Sequence, residues 1–136
     1  MIYLTAQQVL FIHARLIAET GGAAGIRDLA LLESAVARPQ ATFDGADLYP
    51  EVLTKAAALM ASLVGNHAFV DGNKRVGITA AAIFLQRNGV HLTARNDEVV
   101  AFSLTVAQGR LTVSEIASWF AAHTAPHVPT GEGASS

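Results

Sequence analysis

Two apolar stretches bracket one short polar segment, and this constrains the chain more than any other feature. Ala56 to Val64 reads Ala-Ala-Ala-Leu-Met-Ala-Ser-Leu-Val, and a second stretch ends in Ala80-Ala81-Ala82-Ile83-Phe84-Leu85. Wound as helices, both are apolar on nearly every side, which marks central rather than surface helices. Between them stand Asn66-His67-Ala68-Phe69-Val70-Asp71-Gly72-Asn73-Lys74-Arg75. Buried chain does not hold an imidazole, a carboxylate, an amide and two cations so close together unless they face a cleft, a ligand or each other. That segment is where chemistry is expected.

The remaining pattern is helical too. Leu4 to about Thr20 reads as a helix, with Thr5 and Gln8 as a capping box and Gly21-Gly22 as its stop. Asp28 is the expected N-cap of a short helix carrying Leu29, Leu32 and Val36, with Pro39 at its exit. Asp44-Gly45 signals a turn in an exposed loop or small hairpin. Pro50 suits the first position of the helix running to Gly65 or Asn66. The second apolar helix spans about Asn73 to Arg87 and closes at Asn88-Gly89. Val90 to Ala94 is expected to be extended. A helix over Asp97–Gln108 takes Asn96 as its cap, and Thr112 with Glu115 opens the last one. Residues 1–125 form one expected domain, and 126–136, rich in Pro, Gly and Ser, a disordered tail.

Composition narrows the function. Of 136 residues 26 are alanine, the best helix former, so the 51% apolar fraction points to closely packed helices. No apolar run approaches the ~20 residues of a membrane helix, and no secretory signal opens the chain. A cytoplasmic location follows as the expectation. With no cysteine, thiolate metal sites and cysteine nucleophiles are excluded. The net charge of −2 and the absence of a Lys/Arg run argue against direct nucleic-acid binding.

The polar segment suits a phosphate. A helix N-terminus presents unpaired N–H groups and partial positive charge, and Gly72 lets an anion approach the backbone. Lys74 and Arg75 in the first turn oppose the helix dipole, which is a reason to expect a bound anion. Asp71 suits Mg²⁺, which takes one or two carboxylates plus phosphate oxygens. Asn73 can bond a phosphate oxygen, and the His67 imidazole is a residue type suited to a general base near neutral pH. Each residue alone also has a structural explanation: a histidine at a helix end, an Asp71 N-cap, turn chemistry at Asn73, a solvated Lys74-Arg75 face. None of these accounts for the whole set at one junction. Together the parts suit transfer of a phosphate-containing group from a nucleotide to a hydroxyl.

At these residues the sequence resembles the Fic/Doc family, whose motif is close to His-x-Phe-x-Asp-x-Asn-x-Arg. His67, Phe69, Asp71, Asn73 and Arg75 match it at the same spacing. Leu32-Glu33-Ser34-Ala35, Arg38-Pro39, the Phe43 to Tyr49 loop and Phe84-Leu85-Gln86-Arg87-Asn88-Gly89 look like its Doc (death-on-curing toxin) branch. The similarity covers about Leu4 to Thr124. It implies a compact all-α bundle of about six helices, with a central helix–loop–helix and a small flap over Thr42 to Tyr49. It also implies His67 as base, Asp71 as metal ligand, Gly72 and Asn73 as anion cradle, Lys74 and Arg75 as phosphate holders, and Phe69 as the loop's inward anchor. A basic residue expected shortly before the histidine is absent, since Val64, Gly65 and Asn66 stand there.

The branch decides the implied reaction. Fic enzymes carry glycine before the motif's arginine and a second arginine three residues after it, and they transfer AMP. Here Lys74 and Ile78 stand at those positions, as in Doc. The resemblance then implies the toxin of a type II toxin–antitoxin pair. Using ATP and Mg²⁺, it would move the terminal phosphate to a threonine of elongation factor Tu and so arrest translation. The implied partner is a Phd-like antitoxin whose disordered segment folds into a groove. The alternatives are a Fic-type adenylyl transferase and a catalytically silent antitoxin-binding protein.

Overall fold

A computed structural model describes residues 1–127. Six helices carry the fold: α1 (Ala6–Thr20), α2 (Leu29–Ala37), α3 (Val52–Asn66), α4 (Asn73–Arg87), α5 (Asn96–Ala107) and α6 (Val113–Ala122). A 3-10 turn, Arg38–Gln40, extends α2. Two minimal antiparallel ribbons complete the described chain. In one, β1 (Thr42–Phe43) pairs with β2 (Ala46–Asp47); in the other, β3 (Val90–Leu92) pairs with β4 (Thr124–Pro126). The fold is the mostly helical bundle with a small flap that the sequence implied.

The all-round apolar stretch is the axis of the bundle. From Lys55 to Val64 only Ala61 is not buried, and α3 packs chiefly on α4 and then on α6 and α2. Leu32, Phe84, Ile116 and Phe120 are fully enclosed around it. Small side chains let the axes approach, and Gly77 marks the tightest point. A Cβ built there would lie 2.6 Å from Val64 Cγ2.

Helix ends follow local chemistry. Thr5–Gln8 and Thr112–Glu115 close the expected capping boxes, and Asp28 caps α2 through the Leu31 N–H. Three ends differ. Pro50 lies outside α3, which starts at Val52 after Glu51; the Glu51 N–H donates to Thr54 Oγ1 at 3.2 Å. Asn96 lies inside α5, because the Arg95 N–H donates to Glu98 Oε1 at 2.8 Å and makes Arg95 the cap. Pro126 pairs with Val90, and the His127 N–H donates to Gly89 O at 2.8 Å, so ordered chain continues past residue 125. The rest of the expected tail lies outside the described residues.

The β1–β2 hairpin turns at Asp44 and Gly45, both with positive φ, and all four strand residues are exposed. A buried cation anchors it. Lys55 is 1% exposed, and its Nζ donates to Pro39 O and to Asp47 Oδ2, both at 3.1 Å. Burial works against the charge, but the Tyr3 and Asp47 side chains outweigh it and raise the Lys55 pKa above its ordinary value. Nearby, Arg38 donates to Tyr49 Oη at 3.1 Å and to Ser62 Oγ at 3.0 Å.

The α3–α4 contact leads to a first prediction. Replacing Gly77 gains at most about 1 kcal/mol of helix propensity, whereas overpacking a close contact costs about 1–3 kcal/mol. Gly77→Val places three carbons against Val64 and is expected to destabilise the fold by about 2 kcal/mol. The midpoint of urea unfolding measures it; an unchanged midpoint would mean that the helices separate freely.

Candidate active site

α3 ends at Asn66, and six residues separate it from the start of α4 at Asn73. His67 makes the turn possible by taking the left-handed conformation, φ 52° and ψ 49°. Non-glycine residues enter this region rarely, and at a cost. Phe69 drives the turn inward. It is 2% exposed and stacks on the His13 ring at 3.8 Å, with 9° between the planes. Alongside runs the segment after α1, through the Ile26–Phe69 bridge and the Val70 N–H donating to Gly25 O at 3.2 Å.

Gly72, also left-handed with φ 82°, is the N-cap of α4 and offers no capping side chain. The first intrahelical bond at this end runs from the Val76 N–H to Gly72 O at 2.9 Å. The N–H groups of Asn73, Lys74 and Arg75 are therefore the orphan donors of the first turn. Neither Asp nor Glu stands in that turn. Helix starts are normally closed by an acceptor side chain; this one keeps its donors and adds two cations.

Asp71 is not the N-cap, although its Oδ1 accepts from the Gly72 N–H at 2.8 Å. Its Oδ2 accepts from the Ala23 N–H at 3.2 Å. These backbone donors, Ala23 first and Gly72 second, with Arg75 and His13 nearby, hold the Asp71 pKa below its ordinary 3.8. The contact with Ala23 requires a glycine before it. A Cβ on Gly22, whose φ is 110°, would lie 2.6 Å from Asp71 Oδ2. Arg75 donates to Thr20 Oγ1 at the end of α1.

All six expected residues, His67, Asp71, Gly72, Asn73, Lys74 and Arg75, line one cleft of about 450 Å³. Val64, Val70 and Ala107 supply its apolar wall. His67 is exposed, and among the described residues no protein group hydrogen-bonds its ring. Asn73 is turned toward the loop: its Oδ1 accepts from the Phe69 N–H at 3.1 Å, and its Nδ2 donates to Phe69 O at 3.0 Å. The side chain thus shapes the cradle and keeps one amide hydrogen for a ligand. No group of three or more His, Cys, Asp or Glu that could hold a metal exists among the described residues.

Residues outside the motif complete the site, and no sequence pattern singled them out. His13, 5% exposed, donates from Nε2 to Asp71 O at 2.7 Å and fixes the backbone beside the carboxylate. Gly22 and Ala23 meet that carboxylate, Thr20 meets Arg75, and Arg27 reaches the end of α3. The available signals were a histidine on the apolar face of α1 and glycines past its end. Neither names a partner some fifty residues away.

The sequence profile of the Fic/DOC family matches residues 3–85, more than half of the chain, and takes in the whole cleft motif. The chain belongs to the Fic/DOC family. Its relatives place it in the Doc branch. Toxin Doc of Mycolicibacterium smegmatis is 57% identical over 77 residues, covering 57% of this chain and 59% of that protein. Protein kinase doc of Escherichia phage P1 is 29% identical over 117 residues, covering 86% of this chain and 91% of that one. The chain thus spans nearly all of the phage protein but under two thirds of the mycobacterial one. No helix among the described residues of this Doc-branch chain is long and apolar enough to cross a membrane.

The Asp71 environment has a pH signature. A carboxylate with a depressed folded-state pKa stabilises the fold above its unfolded pKa, and this contribution is lost as the pH falls through the folded value. Asp71→Asn is expected to melt below the unaltered protein at pH 7, with the gap narrowing as the pH is taken below 3.8. Melting curves across that range measure it; a gap that is constant with pH would show that the Ala23 and Gly72 contacts do not depend on the charge.

Proposed function

We propose that this protein is the toxin of a toxin–antitoxin pair, acting as a kinase that moves the terminal phosphate of ATP to a threonine hydroxyl of elongation factor Tu. One observation carries the reading. The uncapped start of α4, with Lys74 and Arg75, shares a cleft with an imidazole whose ring has no protein partner among the described residues. The names of the two relatives, a Doc toxin and a Doc protein kinase, support the same reading.

The residues fit ATP with Mg²⁺. Each Asp71 oxygen accepts one N–H, which leaves lone pairs for a cation. Asp71 is the one carboxylate lining the cleft among the described residues, so the cation would complete its shell from phosphate oxygens and water, the habit of Mg²⁺. ATP supplies the phosphoryl group, and Mg²⁺ neutralises charge on it. The orphan N–H groups of Asn73, Lys74 and Arg75 and the two side-chain cations hold the phosphates. His67 takes the proton of the threonine hydroxyl. The threonine oxygen forms its bond to the γ-phosphorus as the bond to the bridging oxygen breaks, and ADP leaves.

Lys74 and Ile78 favour phosphate over AMP transfer. Lys74 crowds the cradle where a glycine would leave room. Ile78 is buried and puts a hydrocarbon wall where a second guanidinium would stand. That wall belongs to an apolar groove of about 430 Å³, with Leu16, Val99, Val100 and Leu104, which shares Lys74 and Arg75 with the cleft. The Ser103 hydroxyl in the same groove is buried without a partner among the described residues. An antitoxin segment that is apolar on one face and acidic at one end fits this groove.

The test is a transfer assay on elongation factor Tu with ATP labelled at either phosphate. Label is expected to arrive from the γ position, and His67→Ala is expected to reduce transfer at least about 100-fold. Arrival from the α position would make the protein an adenylyl transferase. An active His67→Ala variant would remove the imidazole from the mechanism.

A further inference from the structure

We infer that Arg27 is the positioning residue for His67, holding the proposed base toward the cleft from outside it. The inference rests on the kinase reading for its consequence, but not for its geometry. Arg27 Nε donates to His67 O at 2.6 Å, and Nη2 donates to Asn66 O at 3.1 Å. The Arg27 main-chain N–H donates to Ala68 O at 2.7 Å, and the Asp28 N–H joins it at 3.0 Å. Three successive carbonyls, Asn66 to Ala68, are thereby drawn to one side of the turn. The His67 ring lies on the wall of the cleft, and Arg27 does not.

Two needs of the chain meet at this guanidinium. The last carbonyls of a helix lack internal partners and attract a cation, yet α3 has no basic residue in its last turn. His67 also sits in the left-handed region, where a residue stays only when its surroundings over-determine it. The rigid fork of an arginine can hold two adjacent carbonyls in fixed relation, which an ammonium cannot. Asn66 is pinned from the other direction, since its Nδ2 donates to Leu31 O at 3.1 Å. Other contacts hold the nucleotide side of the loop, namely His13 on Asp71 O and Asn73 on Phe69. Loss of the fork should therefore loosen the base and spare the anion cradle.

The test compares Arg27→Met and Arg27→Lys with the unaltered protein by three measurements. These are kcat for phosphate transfer from ATP–Mg²⁺ to elongation factor Tu, calorimetric affinity for ATP–Mg²⁺, and the ring resonances of His67 and His13. Arg27→Met is expected to lower kcat about 10-fold or more and to shift the His67 resonances. Nucleotide affinity and the His13 resonances are expected to hold. Arg27→Lys, reaching one carbonyl instead of two, should fall between. Unchanged His67 resonances in Arg27→Met would overturn the inference. So would a parallel loss of nucleotide affinity with movement of His13, because that is general loosening rather than positioning. If the unaltered protein transfers no phosphate, the kinase reading falls, and the ring resonances alone decide the role of Arg27.

Discussion

The structure depends on a turn between two helices that are too apolar to be moved. α3 and α4 are fixed by their burial, and Gly77 brings them close enough that Val64 has no slack. The chain must reverse between Asn66 and Asn73 with little room, and left-handed His67 and Gly72 make that possible. Every polar main-chain group in the turn then needs a partner, because an unpaired one near a core is costly. The segment from Gly25 to Asp28 meets the carbonyls of Asn66, His67 and Ala68 and the Val70 N–H, and His13 and Asn73 meet others. The site is thus a joint product of a packed core and of a distant strip of chain laid against it.

This division of labour explains the unusual helix start. An ordinary N-cap would spend an acceptor on the first-turn donors. In this protein the local acceptors are committed elsewhere: Asn73 closes the loop on Phe69, and Asp71 binds Ala23 as well as Gly72. Donors and cations therefore accumulate at one mouth with only the Asp71 carboxylate beside Arg75 to offset them, which suits a polyanionic substrate. The imidazole sits at the far end of the same short turn, so its spacing from the helix start is set by backbone geometry rather than by long, mobile side chains.

Much of this was legible in the sequence because it is local. The limits of α4, the end of α3, two capping boxes and the Asp44-Gly45 turn all follow from residues within one helical turn of each other. The cluster itself announced the cleft, since only a ligand-facing surface tolerates such a set of groups beside a core. The failures were of two kinds. At Pro50 and Asn96, competing local signals sat within a few residues, and hydrogen bonds of Glu51 and Arg95 decided the outcome; at Pro126 a pairing with distant Val90 did. At His13, Ala23 and Arg27 no local signal names the partner. Their roles arise only when α1 and the loop after it are folded onto the loop after α3.

Lys74 and Arg75 form part of two hollows, the polar cleft and the apolar groove beside it. On the proposed function, a shared wall would let the two sites couple thermodynamically. If an occupant of one hollow alters the affinity of the other, the reverse effect has the same size, by detailed balance. Cellular nucleotide would then set how firmly a silencing protein holds, and the silencing protein how much nucleotide is retained. Two arms of basic charge at one helix start would make restraint and activity a single equilibrium.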